Sequence, residues 1–501
     1  DPTLTEKQRA AQVKSIDTQS GSLRTSMDIA LGLNSRPENM TFAQIGSDIR
    51  AVQSMAKLGG AVISSIPSDT VSVAMASMFR GNNVIGALGT QLAGVLRGRP
   101  KEEAAQISFL LGEGFDGMIG RIASPMLSND GPRGVMARWQ EAFFRWNGLS
   151  AWTDISRSVA ARTIAAELGM NAGKAMADLS PNIRDLLGRH GIDAVRWDAI
   201  RQSRLRNANG REYITPDRVL ELPDEAVAPV VQKRIDAANG DPDKIAAALA
   251  DGRRDLQLAL LRYVADETNY AVIKTDAKTT RYMMLNKTLR PGSLSGEVIR
   301  FMGQFKAFPI AFTERVWGRA IYGARKDATA LERTFHIGTL LAGLTVAGYA
   351  ATVAKDTLKG YWPPRDPGDP RTWLAAFQQG GALGIYSDFL FAKTNRFGGG
   401  LTETLAGPTF GTAGDLLNIA MDARDAAVSG GSDEFSGARA FSTTVGLVPY
   451  ANIYFAKPAL DYLFLNAMRE SLSPGYLRKQ ERSRMTEYGQ SSFVPRTMGG
   501  Q

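Results

Sequence analysis

Apolar positions along most of the chain recur at spacings of three and four, the period of a helix with one buried face. Long alternating runs of Val, Ile and Thr closed by Asn-Gly turns do not occur, and Asn209-Gly210 stands alone between polar stretches. The pattern predicts an all-α chain: an elongated, multi-helix assembly protein with Gly/Pro-rich breaks and few or no strands. Five segments are expected. Residues 1–98 hold N-terminal helices, broken near Ser35-Arg36-Pro37, and a small-residue-rich apolar stretch over 58–98; 99–222 is a helical domain ending in a polar connection over 204–222. Residues 223–330 form a long-helix region, 331–473 an apolar helical region, and 474–501 a basic polar tail.

Start signals sharpen several elements. Ser180-Pro181 and Asp241-Pro242 each place a capping oxygen before a proline at the first helical position, where its missing N–H costs nothing. Trp139, Phe143 and Trp146 share one helical face, which fits core packing or base stacking. Val298, Met302, Phe305, Phe312 and Val316 form the most regular seam, with Pro309 expected to kink the helix that carries them. The seam is a candidate oligomer interface, whether its partner helix lies in the same chain or another copy.

Phe335 to Ala354 then runs about twenty residues without a formal charge, close to the length that spans a bilayer. Its candidate membrane residues are Phe335, Leu340, Leu341, Leu344, Val346 and Val353. Gly, Ala and Thr dilute the segment, so a buried helix of a large assembly would read the same way. Gly-rich stretches over 58–98 fit either a tight helical pair or a membrane helix.

Composition adds limits. The 501 residues carry 59 Lys and Arg against 50 Asp and Glu, a net charge of +9 that suits either solubility or contact with phosphates of nucleic acid or lipid. The excess is local in the tail, where Arg478, Lys479, Arg482 and Arg484 are candidate phosphate or partner contacts. No cysteine is present, which excludes disulfides, thiolate metal sites and thiol nucleophiles. The chain begins at Asp1, as expected of a processed product or part of a longer polypeptide.

Catalytic signatures are missing. Only His190 and His336 occur; the first is expected at a helix C-terminus and the second at the mouth of the apolar stretch. There is no phosphate-binding loop, nucleophile elbow or zincin motif. No catalytic residue, cofactor or metal is expected, and the chain reads as non-enzymatic.

Several segments of the second half resemble a known family. They are Arg300-Phe301-Met302-Gly303-Gln304-Phe305-Lys306-Ala307-Phe308-Pro309, the run from Trp373 to Phe391, Thr394-Asn395-Arg396-Phe397-Gly398 and Leu405-Ala406-Gly407-Pro408-Thr409. They resemble the C-terminal part of internal virion, or DNA-ejection, proteins of short-tailed bacteriophages, over about residues 290–490. The resemblance implies a protein packaged in the virion interior beside the portal and other ejection proteins. After ejection it would assemble with copies of itself into a ring or tube through the host periplasm and inner membrane, with genomic double-stranded DNA passing through or nearby. Some members carry a wall-cleaving transglycosylase; here Glu470-Ser471 is the nearest match to its catalytic dipeptide, and Leu472-Ser473-Pro474-Gly475 does not continue the motif. Two other classes fit the residues: a bacterial pore-forming effector, and an envelope hydrolase whose catalytic part lies outside this chain.

Overall fold

The computed structural model describes residues 21–29, 31–82, 133–206, 210, 212–273, 275, 277–285, 289–322, 327–381, 408–429 and 437–493. The fold is all-α. Strands are limited, among the described residues, to two two-residue antiparallel pairs: β1 (Leu205–Arg206) with β2 (Glu212–Tyr213), and β3 (Tyr361–Trp362) with β4 (Ser491–Ser492). Gly210, with φ 76°, lies between β1 and β2, while Asn209 lies outside the described residues.

The first half is built from α1 (Met40–Lys57), α2 (Ala61–Phe79), α3 (Gly134–Trp146), α4 (Leu149–Met170), α5 (Pro181–Arg189), α6 (Ala194–Ile200), α7 (Asp224–Ala237) and α8 (Pro242–Ala271). The expected caps form. Ser180 Oγ accepts from the N–H of Ile183 at the start of α5, and Asp241 accepts from the N–H groups of Asp243 and Lys244 at the start of α8. One apolar cluster runs from Ala161, Ile164 and Leu168 on α4 through Leu186, Leu187 and Trp197 to Val227, Leu256, Leu260 and Tyr263. It draws on both sides of the division expected at 222/223, because α7 and α8 close their apolar faces over α4 to α6.

The seam expected as one kinked helix is two. After α9 (Ala277–Met283), α10 (Leu294–Gly303) stops at a turn over Gln304 to Lys306, where Phe305 takes a left-handed φ of 68°. Gln304 fixes that turn by donating to the carbonyl of Arg50 at 2.8 Å. Helix α11 (Ala307–Phe312) then begins, runs through a π turn over Thr313–Trp317 and continues as α12 (Gly318–Tyr322). Pro309 therefore sits in the first turn of α11, where it breaks no backbone bond, and the reversal comes before it. Phe312 and Val316 are buried in this chain against Met75, Met78, Phe79, Leu340 and Leu344, while Val298, Met302 and Phe305 are half-buried. The packing partner of the seam's second half is thus intramolecular.

The remaining elements are α13 (Ala330–Leu358), α14 (Pro370–Gln379), α15 (Pro408–Ser429), α16 (Gly437–Gly446), α17 (Ala456–Leu460), α18 (Asn466–Leu472) and α19 (Tyr476–Tyr488). The resemblance segments between 382 and 407 lie outside the described residues. The expected tail is a docked helix: α19 leads into β4, which pairs Ser491 with Trp362 and Ser492 with Tyr361. Glu470, the residue nearest to a transglycosylase acid, accepts from the N–H groups of Gly475 and Leu477 at the start of α19. Those bonds hold its carboxyl below its ordinary range, a capping role.

Candidate membrane and assembly surface

Two helices among the described residues are long and apolar enough to cross a membrane, α2 and α13, and they pack on one another. Small residues bring α13 close to its neighbours. A Cβ on Gly343 would lie 3.0 Å from Val71 Cγ1 of α2. On another face, a Cβ on Gly348 would lie 1.9 Å from the carbonyl oxygen of Ala376 in α14, and one on Gly380 would lie 2.0 Å from the carbonyl oxygen of Leu344. The two backbones touch at this crossing, the close approach that small-residue spacing permits. Gly348→Ala should therefore lower stability by about 1–3 kcal/mol, because backbone must shift to admit one methyl. Gly338 has open space at its Cβ position, and Gly338→Ala should raise stability by up to about 1 kcal/mol through helix propensity. Urea unfolding midpoints of the two variants should move in opposite directions.

The two apolar helices differ in what holds them. More than half of the apolar window of α2 is buried, against a third of that of α13. At its C-terminal end α2 carries Arg80, fully buried. Arg80 Nε and Nη2 donate to Glu167 of α4 at 2.6 and 3.2 Å, and Nη1 donates to Glu267 Oε2 of α8 at 3.4 Å. Glu267 also accepts both Nη groups of Arg319 on α12, at 3.1 and 2.6 Å. Asn82 Nδ2 donates to Glu167 Oε1 at 2.6 Å, and the Arg319 guanidinium stacks 3.6 Å from the Tyr270 ring centroid. Burial would raise the Glu267 carboxyl, but Arg319 and then Arg80 overcome it and hold it low; burial is likewise outweighed at both arginines, whose guanidiniums stay charged. Two acids and two bases tie the end of α2 to three other helices, so α2 is a core helix here. Pulling it into lipid would separate four buried charges.

Helix α13 presents a different surface. Thr329 and Glu332 form a reciprocal capping box at its start. Leu340 and Leu344 are fully buried against α2 and the π turn, whereas Phe335 and Val346 are 63% and 59% exposed; Leu341 and Val353 are intermediate. The exposed residues from Phe335 to Ala350 are Phe335, Gly338, Ala342, Val346 and Ala350. They recur every three or four positions, on one face about 22 Å long, and all are apolar. No described residue covers that face. The six candidate membrane residues are thus divided: Leu340 and Leu344 make the core, and Phe335 and Val346 face outward.

At the C-terminal end of α13, Asp356 is buried between two arginines. Arg365 Nε donates to its Oδ2 at 2.8 Å and Arg484 Nη1 to its Oδ1 at 3.4 Å. Arg484 also lies 3.9 Å from the Tyr361 ring centroid and donates to Gln490 Oε1 at 3.2 Å. Of the four tail cations, Arg484 is therefore a structural clamp, while Arg478, Lys479 and Arg482 are exposed.

The other sequence candidates resolve simply. Phe143 is buried with Met55 and Ile453, while Trp139 and Trp146 are more than half exposed. His190 ends α5, with Nδ1 2.9 Å from the Leu186 carbonyl and Nε2 3.1 Å from Asp266 Oδ2; that pairing raises it against the opposing effect of burial. His336 packs edge-on to Phe79, ring centroids 4.9 Å apart. A shallow depression of about 510 Å³ beside α5 is lined by Arg184, Asp185, Arg189 and Asp193, and Arg189 pairs with Asp185 there. Among the described residues no group of three or more acidic or imidazole side chains is placed to hold a metal ion. A comparison with protein-family models, curated proteins and solved structures finds no significant match.

Proposed function

We propose that this chain is a structural virion protein that is ejected into the host envelope, assembles with copies of itself and engages the inner membrane through the outer face of α13. The observation that carries the membrane part is the uncharged exposed stripe from Phe335 to Ala350. In a helix that met only water, that face would carry polar side chains. Dilution by Gly and Ala keeps it tolerable in water before release, and its small residues suit close contact with a second helix in lipid. The phage assignment rests on the resemblance of residues 290–490, with the portal, other ejection proteins and genomic DNA as the remaining partners it implies. A bacterial pore-forming effector would use the same stripe, and neighbouring genes separate the two: portal and tail genes on one side, secretion or immunity genes on the other.

Self-association is expected to use surface other than the second half of the seam, since Phe312 and Val316 are occupied within the chain. The exposed face of α1 bearing Phe42, Ile45 and Ile49 is available for it. Electron microscopy of the purified chain with liposomes tests the proposal. Rings or tubes on the vesicles are the expected result; a monomer that stays free of vesicles contradicts it.

A further inference from the structure

The end of α13 that follows the apolar stripe is ringed by aromatic and cationic side chains from four separate elements. Tyr349 of α13 donates its hydroxyl to the Arg365 carbonyl at 2.9 Å and lies 5.4 Å from the Trp373 ring of α14, centroid to centroid. Trp373 Nε1 donates to the Pro367 carbonyl at 2.8 Å, leaving part of its ring exposed, and Trp362 of β3 is 52% exposed. Arg365 stacks 3.9 Å from the Tyr488 ring centroid of α19. Because Arg484 clamps α19 to Asp356, the rest of α19 is held at this end. Arg482 and Arg478 lie about 3 and 9 Å from Arg484 along the helix axis. Arg478, Lys479 and Arg482 are exposed there, whereas the Lys359 ammonium at the C-cap of α13 is largely enclosed, which lowers its pKa.

The acids at this end are largely committed. Asp356 is enclosed by its two arginines, Asp366 accepts the Gly368 N–H, and Asp369 caps α14 by accepting the Arg371 N–H. Glu481 and Glu487 on α19 offset its cations, as does Glu470, whose carboxylate lies near Arg478 at the start of that helix. At the opposite end of α13, Asp327, Glu332 and Arg333 are joined by Arg184, Asp185, Arg189 and Asp193 of the depression that Asp327 also lines, so that acids outnumber cations there, and no exposed tryptophan is described beside them. The two ends therefore differ in both charge and aromatic content.

We infer that this collar of Trp362, Trp373, Arg478, Lys479 and Arg482 docks on the headgroups of an anionic phospholipid leaflet and sets which end of α13 faces it. Amphipathic rings favour the level of the headgroups, and clustered cations beside an apolar helix favour an anionic leaflet. The inference rests on the membrane reading of α13 and adds the lipid class and the orientation.

The test compares the wild-type chain with Arg478→Gln/Lys479→Gln/Arg482→Gln on vesicles of phosphatidylcholine alone and with 30% phosphatidylglycerol. All three positions are exposed, and circular dichroism checks that the helices are retained. The wild type should bind the anionic vesicles more tightly. Each cation contributes roughly a factor of five, so the triple variant should lose up to about 100-fold there and nothing on neutral vesicles. The preference should fade at high salt and resist millimolar inorganic phosphate. Equal binding of both proteins to anionic vesicles overturns the collar and leaves the membrane reading standing. So does an anionic preference absent from the wild type, or a triple-variant defect confined to double-stranded DNA. Failure to bind any vesicle overturns both.

Discussion

Glu267→Gln should cost about 3–5 kcal/mol of stability, one of the largest losses available from a single exchange in this chain. The substitution keeps the side-chain shape but leaves the buried guanidiniums of Arg80 and Arg319 facing each other with only Glu167 between them and neutrality. Adding Arg319→Met should recover part of the loss, since it removes the charge that lost its partner. Asp251→Asn is the contrast: its pair with Arg254 is exposed on both sides, and the change should stay within about 1 kcal/mol. Acid should act like the mutation. Glu267 is held below its ordinary 4.5 in the folded chain, so its contribution is complete above that value and is lost as pH falls through the lower folded value. Urea unfolding across pH 2–7 should show the gap between wild type and Glu267→Gln closing at the acid end. A loss below about 1 kcal/mol at neutral pH would mean the four charges do not act as a unit.

Neighbouring positions on α13 should respond in opposite ways to the same residue. Leu344 is fully buried among Met75, Phe312 and Leu340, so Leu344→Arg places an unpaired charge in a packed core and should cost at least about 4 kcal/mol. The soluble fold should be lost whatever α13 does in lipid. Val346 points outward, so Val346→Arg should change stability in water by no more than about 0.5 kcal/mol. In a bilayer the same arginine costs about 3 kcal/mol near the centre, so vesicle binding should fall by roughly 100-fold. Unfolding midpoints and vesicle flotation, run on both variants, separate core from membrane surface residue by residue. Equal flotation of wild type and Val346→Arg would remove α13 from the membrane account.

Local signals in the sequence carried over well. Ser180-Pro181 and Asp241-Pro242 mark helix starts because a cap and a proline act within one turn. The scarcity of strands followed from periodicity in the same way. Long-range features did not show. Nothing near Phe305 announces a left-handed turn, since Gln304 fixes it by reaching a carbonyl 254 residues away in sequence. Arg484 read as a free tail cation because its partner, Asp356, is 128 residues distant. One signal was present and unused: Glu267 falls on the apolar stripe of α8 formed by Leu256, Leu260, Tyr263, Val264 and Ala271. A lone carboxylate on such a face needs a buried cation, and Arg80 and Arg319 supply it. For α13, composition located the apolar segment but could not divide it, because Leu340 and Val346 differ only in which neighbours the fold gives them.

The absence of cysteine allows the membrane claim to be read at one position. An environment-sensitive fluorophore on Val346→Cys, with Lys244→Cys as an exposed control on α8, reports local polarity when vesicles containing phosphatidylglycerol are added. The label at 346 is expected to shift to an apolar environment and to be protected from an aqueous quencher, with no change at 244. A label at 346 that stays as accessible to the quencher as the one at 244 would contradict the membrane claim.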